Sequence, residues 1–429
     1  MIPRYPARET GKTRAALRFV ALFPARRPCQ GRGAARDGKE TAVPSLPSDR
    51  PEAPSRGDAL PGPLLCQPAG PFFTLAALFA AAAPWPWLLH WPDAALLHLR
   101  LGIFGMGGAA AAGYLMTAQR AWTGRALPLP ALWLAALWTG GRVVSLVWPG
   151  QPWLAAVSAL VTGAALLWPI LAARTARGLP AVLFVVAMGP AEAALVAGIL
   201  PPDRLATLLA ILLALVGGKA VPAFLLAEAQ RRGWPAGPQA PGAGLGAAAL
   251  VLAQLPGVRT GMLLLAALWC LSRLRRRSVG RLMRHAPLSA AAMLVWSWGL
   301  CAAGLVAAGI GIGPPAAATH LLTLGAAGGM IFAISARAAM RRCPHRGLVA
   351  SRWQKCGFAL LLAATALRLA AGAGLPLALA GSGLCWSAAW LCHLAAHGAA
   401  LMRPCPWPVL SAPGQPRQTQ HHAALRNPG

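Results

Sequence analysis

The chain has 429 residues, of which 57% are hydrophobic and 11% charged, and 39 Lys and Arg against 10 Asp and Glu give a formal charge of +29. A soluble domain carries about 25% charged residues, so an ordinary water-soluble globule is excluded. The basic excess does not describe a nucleic-acid-binding module either, because after residue 70 it falls in short gaps between long apolar runs rather than on one polar face.

Residues 1–63 are rich in Pro, Arg, Gly and Ser and read as a disordered basic tail, with a second disordered tail expected at 405–429. Between them, residues 64–404 read as one transmembrane domain. A hydrocarbon core of about 30 Å needs roughly 20 helical residues. Spans of that kind are expected at 71–89, 99–118, 131–147, 154–173, 181–200, 205–226, 242–255, 261–274, 288–312, 316–336, 357–375 and 377–401. The predicted fold is therefore all-α, a polytopic integral membrane bundle of about twelve helices.

Alternate gaps are basic: Arg120 and Arg125, Arg174 and Arg177, Arg231 and Arg232, Arg273 through Arg284, and Arg337 through Lys355. Cytoplasmic loops carry such an excess, which puts both termini in the cytoplasm. Span seven is short and Gly-rich, so spans seven and eight either both cross or both turn back. Trp85, Trp87, Trp91, Trp148 and Trp153 gather at outer ends, as in an interfacial aromatic belt. Gly105, Gly107 and Gly108 give span two a small-residue face for close helix packing. Nine cysteines are scattered without a zinc-like spacing, and disulfides are not expected.

Ionisable side chains inside such spans are costly and mark function. His98 opens span two and His320 lies near the start of span ten, at the same side of the membrane. Two neutral imidazoles at one depth suit a shared haem or copper ion, against the plainer reading of two hydrogen-bonded interfacial histidines. Arg142, Lys219 and Arg368 lie within apolar runs, where each charge costs ~2.5–3.5 kcal/mol at a helix centre. They read as a basic lining for an anion, or as bases paired with Glu192 and backbone carbonyls. Neutralisation is the preferred role for Glu192. His393 and His397, four apart on one helix face, read first as packed histidines. No phosphate-binding loop, nucleophile elbow or H-E-x-x-H helix occurs.

Several segments carry a resemblance: Pro71-Phe72-Phe73, His98 with Phe104-Gly105, Trp122-Thr123-Gly124-Arg125, Gly141-Arg142, Gly217 through Phe224, His320 through Ala326 with Met330 and Arg337-Ala338, and Leu401 through Pro404. In order and spacing these resemble the NnrS family of polytopic bacterial membrane proteins. The resemblance implies a role in the response to nitric oxide or nitrosative stress, with haem and copper as associated cofactors. Arg100 and Leu101 stand where the family's H-x-H-E pattern has its second His and its Glu. Lys219 replaces an expected Arg, and Met293 stands at a position often held by His, where it is a conceivable soft copper ligand. Two further functions are compatible with the chain: a transporter of a small anion or metal complex, and a cofactor-free membrane assembly component.

Overall fold

The computed structural model describes residues 69–402 apart from 236–241, 243, 276 and 344–346. The expected tails at 1–63 and 405–429 lie outside the described residues, as do Cys29, Cys66, Cys405, His345, His421 and His422. The described chain is helical but for one hairpin, β1 (Arg341–Cys343) paired antiparallel with β2 (Gly347–Val349).

Helix α1 (Gly70–Ala82) starts with Pro71 in its first turn, where a missing N–H costs nothing. It ends because Pro84 and Pro86 follow, and a single turn, α2 (Trp85–Leu88), completes the span. The second span is one continuous rod of three parts: α3 (Ala94–Leu99), a π-helical segment π1 (Arg100–Gly107) and α4 (Gly108–Thr123). Gly124, at φ +66°, stops it in the left-handed conformation that glycine adopts without strain. Then come α5 (Ala131–Val147), α6 (Pro152–Ala172), α7 (Leu179–Val196) and α8 (Pro202–Arg231). After them lie α9 (Leu245–Leu252), α10 (Arg259–Leu274), the short basic α11 (Arg277–His285) and α12 (Ala290–Ile310). A second three-part rod follows: α13 (Pro315–His320), π2 (Leu321–Gly328) and α14 (Gly329–Ala339). Helices α15 (Arg352–Gly372) and α16 (Leu377–Met402) close the bundle, α15 opening on a Ser351/Gln354 capping box.

Among the described residues, eight helices are long and apolar enough to cross a membrane. Helix α5, with 17 residues, falls short of that length. The crossing expected at 242–255 meets the eight-residue α9, which rises about 12 Å against a hydrocarbon core of about 30 Å. Helix α9 packs on α10, and the two form a short helical pair within the chain.

Small residues let the backbones approach. A Cβ on Gly108 would lie 2.5 Å from Trp138, and one on Gly105 would lie 2.9 Å from Phe79. Trp138 is fully buried and touches Phe72 edge-on at 6.3 Å. The five Trp residues expected at the outer interface are all exposed. Trp133, near the start of α5, and Trp168, near the end of α6, are exposed as well. Cys270, Cys301, Cys356, Cys385 and Cys392 are free thiols.

Candidate functional site

Prolines create the anchors of the site. A helix leaves its last carbonyls without backbone donors, and a proline four residues on removes one more. At the end of α1, Pro84 removes the usual donor to the Ala80 carbonyl, which accepts instead from Ala83 N at 3.2 Å and from Trp386 Nε1 at 2.7 Å. Ser387 Oγ donates to the Ala81 carbonyl at 2.8 Å, so α16 is stitched to the break in α1. The next free carbonyl in this row, Ala83, lies 2.8 Å from His98 Nδ1.

A carbonyl oxygen only accepts, so Nδ1 of His98 carries the proton and the lone pair of the neutral ring sits on Nε2. The same logic holds for His320, whose Nδ1 lies 2.6 Å from the Ala316 carbonyl one turn earlier. The two rings are 6.4 Å apart between centroids with an interplanar angle of 24°. Both histidines are half-buried. Each is followed closely by a π-helical segment, one residue on for His98 and directly for His320. π-Helical turns are rare and occur often at functional sites. Here glycines permit the wider turn: Gly102, Gly105 and Gly107 in π1, Gly325 and Gly328 in π2. The two π segments touch each other. The structure thus brings His98 and His320 together from opposite ends of the sequence.

The basic residues separate into three fates. Arg368 on α15 is half-buried, and its charge acts on both imidazoles. Arg142 does not join them. It pairs with Glu192 Oε2 at 2.5 Å, while Arg100 Nε stands 3.1 Å from Glu192 Oε1. Arg100 also donates from NH1 to the Ser145 carbonyl and from NH2 to the Pro149 carbonyl at 2.8 Å. Ser145 lies four residues before Pro149, so its carbonyl has no helical donor, and Arg100 takes that place at the C-terminal end of α5. Arg100, Glu192 and Arg142 form a buried triad linking π1, α5 and α7. Glu192 neutralises part of this charge, as the sequence suggested, but its partners include Arg100 as well as Arg142. Lys219 is exposed on α8 and points away from the bundle interior. Met293 is fully buried near the N-terminal end of α12, away from the turn at Gly311–Pro314 that leads to His320, and is not brought to the pair.

Among the described residues no group of three or more His, Cys, Asp or Glu is placed to hold a metal ion. The pair offers two ligands. An ion bound through both Nε2 atoms at about 2.0–2.1 Å would set the ring centres roughly 6 Å apart; the rings, stacked at 24°, stand 6.4 Å apart. Two axial ligands suffice for haem iron, because the porphyrin supplies the others. The residues present fit a single metal centre of low protein-ligand number better than a closed zinc-type site.

Sequence reasoning missed the π segments, the carbonyl row and the role of Arg100. The signals were present as Pro84, Pro86 and Pro149, and as the Gly107-Gly108 and Gly328-Gly329 pairs.

The fold and this site define a multi-pass helical membrane protein with a pair of stacked histidines near one end of two interrupted helices. A family model described as NnrS protein matches residues 63–404, most of the chain. The chain belongs to the NnrS family. A comparison with curated proteins gave no match.

Proposed function

We propose that this protein is a bacterial inner-membrane component of the response to nitric oxide, holding haem between His98 and His320. The observation that carries the reading is the histidine pair itself: both Nδ1 atoms are occupied by backbone carbonyls, and the rings stand 6.4 Å apart. That arrangement leaves Nε2 of each ring as the metal-binding atom and fixes its orientation. Arg368 supplies a positive charge beside the pair. A guanidinium there repels a bare copper cation and attracts carboxylates, so it favours haem, whose propionates are anionic. Bound haem would supply a redox-active iron; His98 and His320 would hold it, and Arg368 would balance the charge of its propionates. Copper on the same two nitrogens is the lesser form of this reading.

In this account both termini and the basic loops face the cytoplasm, and the histidine pair lies in the outer half of the bilayer. The α9–α10 pair then enters and leaves on one side, which preserves the alternation of basic loops. A second reading, transport of a small anion, draws on the contact between two interrupted helices, a frequent setting for transporter sites. Uptake into vesicles separates it from the first. The haem reading is tested by loading the purified protein with haemin in lipid nanodiscs. It expects a Soret band at one haem per chain in the wild type and its loss in H98A and H320A. A transporter without the cofactor gives no such band.

A further inference from the structure

A second histidine cluster lies where α16 packs against α14, the far part of the rod that carries His320. Ser335 on α14 faces His393 and His397 on α16, and all three are buried, at 1%, 1% and 2% exposure. His397 Nδ1 lies 3.0 Å from the His393 carbonyl, and its Nε2 lies 3.2 Å from the Ser335 carbonyl. Both partners only accept. A neutral imidazole has one N–H, so in that form one of its nitrogens turns a lone pair toward an oxygen. Only the imidazolium donates to both. The Ser335 carbonyl lies close to the C-terminal end of α14, whose dipole also favours a cation.

His393 completes the arrangement. The Ser335 hydroxyl donates to the Ile331 carbonyl at 2.7 Å, so its oxygen accepts from His393 Nε2 at 3.0 Å. That leaves the lone pair on His393 Nδ1, a buried atom with no hydrogen-bond partner. The two rings are 4.2 Å apart. Phe332 and Trp390 wall His393 in at 4.6 and 5.3 Å.

We propose that Ser335, His393 and His397 form an internal proton-loading site, which takes one proton beyond the two N–H of its neutral imidazoles. The proton comes from water, binds a ring lone pair, and returns to water on release, with no other atom exchanged. The loaded pair holds three N–H protons and one positive charge. A second added proton is excluded, because two imidazolium rings would then stand 4.2 Å apart. The titratable and charged groups on the packed elements are few. Helices α1 and α2 carry none, α4 carries Tyr114 and Arg120, α12 carries Cys301, α14 carries Arg337, and α15 carries Arg352, Lys355, Cys356 and Arg368, with Cys385 and Cys392 on α16 itself. The charge acting on His393 is that of His397. The site is independent of the His98–His320 pair, so the haem reading can fail without it.

The test is nitrogen NMR of the full chain in lipid nanodiscs, labelled with [15N]histidine and recorded from pH 9 down to pH 5. Signals are assigned by their loss in H393Q and H397Q, with S335A as the third variant. The wild-type series expects uptake of one proton by the pair, with one ring passing from neutral to imidazolium shifts on both nitrogens. S335A moves that transition without altering the signals of His98 and His320. Two neutral rings across the whole range overturn the proposal. So does uptake of two protons, or a shift of both rings on adding copper or zinc with no proton uptake, which would make the cluster a metal site. If the Gln variants do not fold, the proton count in the wild type still decides.

Discussion

His98 and Arg100 are two residues apart, yet they belong to opposite kinds of site. The helix sends them to different sides. Arg100 spends its guanidinium on fixed partners: its two terminal nitrogens donate to the Ser145 and Pro149 carbonyls, and its Nε is ion-paired with Glu192 at 3.1 Å. His98 uses one ring nitrogen on the Ala83 carbonyl and keeps a lone pair on the other. A buried charge tied to groups on neighbouring helices holds those helices together. A group held rigidly by one bond, with a second bonding position free, is set up to take a ligand. On that difference rests the proposal that the Arg100–Glu192–Arg142 triad serves fold integrity and that His98 and His320 bind a ligand.

The sharpest way to break this contrast is at Glu192. The substitution E192Q leaves two buried guanidiniums without their shared carboxylate, and breaking a buried pair costs about 3–5 kcal/mol. The variant is expected to lose most of its folded yield and to melt well below the wild type in detergent. An unchanged melting curve would show that the triad is not structural. Next is R100H, which restores the residue type of the family's pattern. The structure predicts a less stable protein with an unchanged number of bound haem or metal equivalents, because residue 100 faces Glu192 and not the histidine pair. A gained ligand, read by elemental analysis and the visible spectrum, would move Arg100 into the binding site.

Packing predictions are smaller. G108L drives a side chain into Trp138, whose ring lies 2.5 Å from the added Cβ. Overpacking of this kind costs about 1–3 kcal/mol and lowers the melting temperature while haem stoichiometry in the surviving fraction holds. The smallest effect is expected for K219L, since Lys219 is exposed and makes no contact with the pair. Its stability should change within about ±0.5 kcal/mol, and haem loading should match the wild type. A loss of loading would return Lys219 to a basic lining.

Much of this architecture was legible in the sequence, because lipid imposes a simple rule. Long apolar runs bounded by prolines become helices, so the ends of α5 at Ala131 and Val147 could be read directly, although α5 is shorter than a full crossing. The meeting of His98 and His320 was legible as well, since the alternation of basic loops put both at one side. Three things were hidden. The length of α9 was overestimated, because a Gly-rich apolar run satisfies composition without forming a crossing helix. The π segments leave no mark on hydrophobic periodicity; their glycines read first as packing contacts. The fate of each arginine depended on which helices became neighbours. Arg142 and Arg368 look alike in apolar runs, and only the tertiary structure, which sets Arg142 of α5 against Glu192 of α7 and packs α15 on α13, separates an ion-paired base from one beside the imidazoles.

The central claim is that His98 and His320 together hold one metal centre through their Nε2 atoms. The direct measurement is the visible absorption spectrum of the nanodisc-embedded protein after haemin loading, for the wild type, H98A, H320A and the K219L control. The account predicts one haem per chain with two nitrogen axial ligands in the wild type and in K219L, and at least a tenfold weaker affinity in each histidine variant. Equal loading of H98A, H320A and the wild type would contradict it.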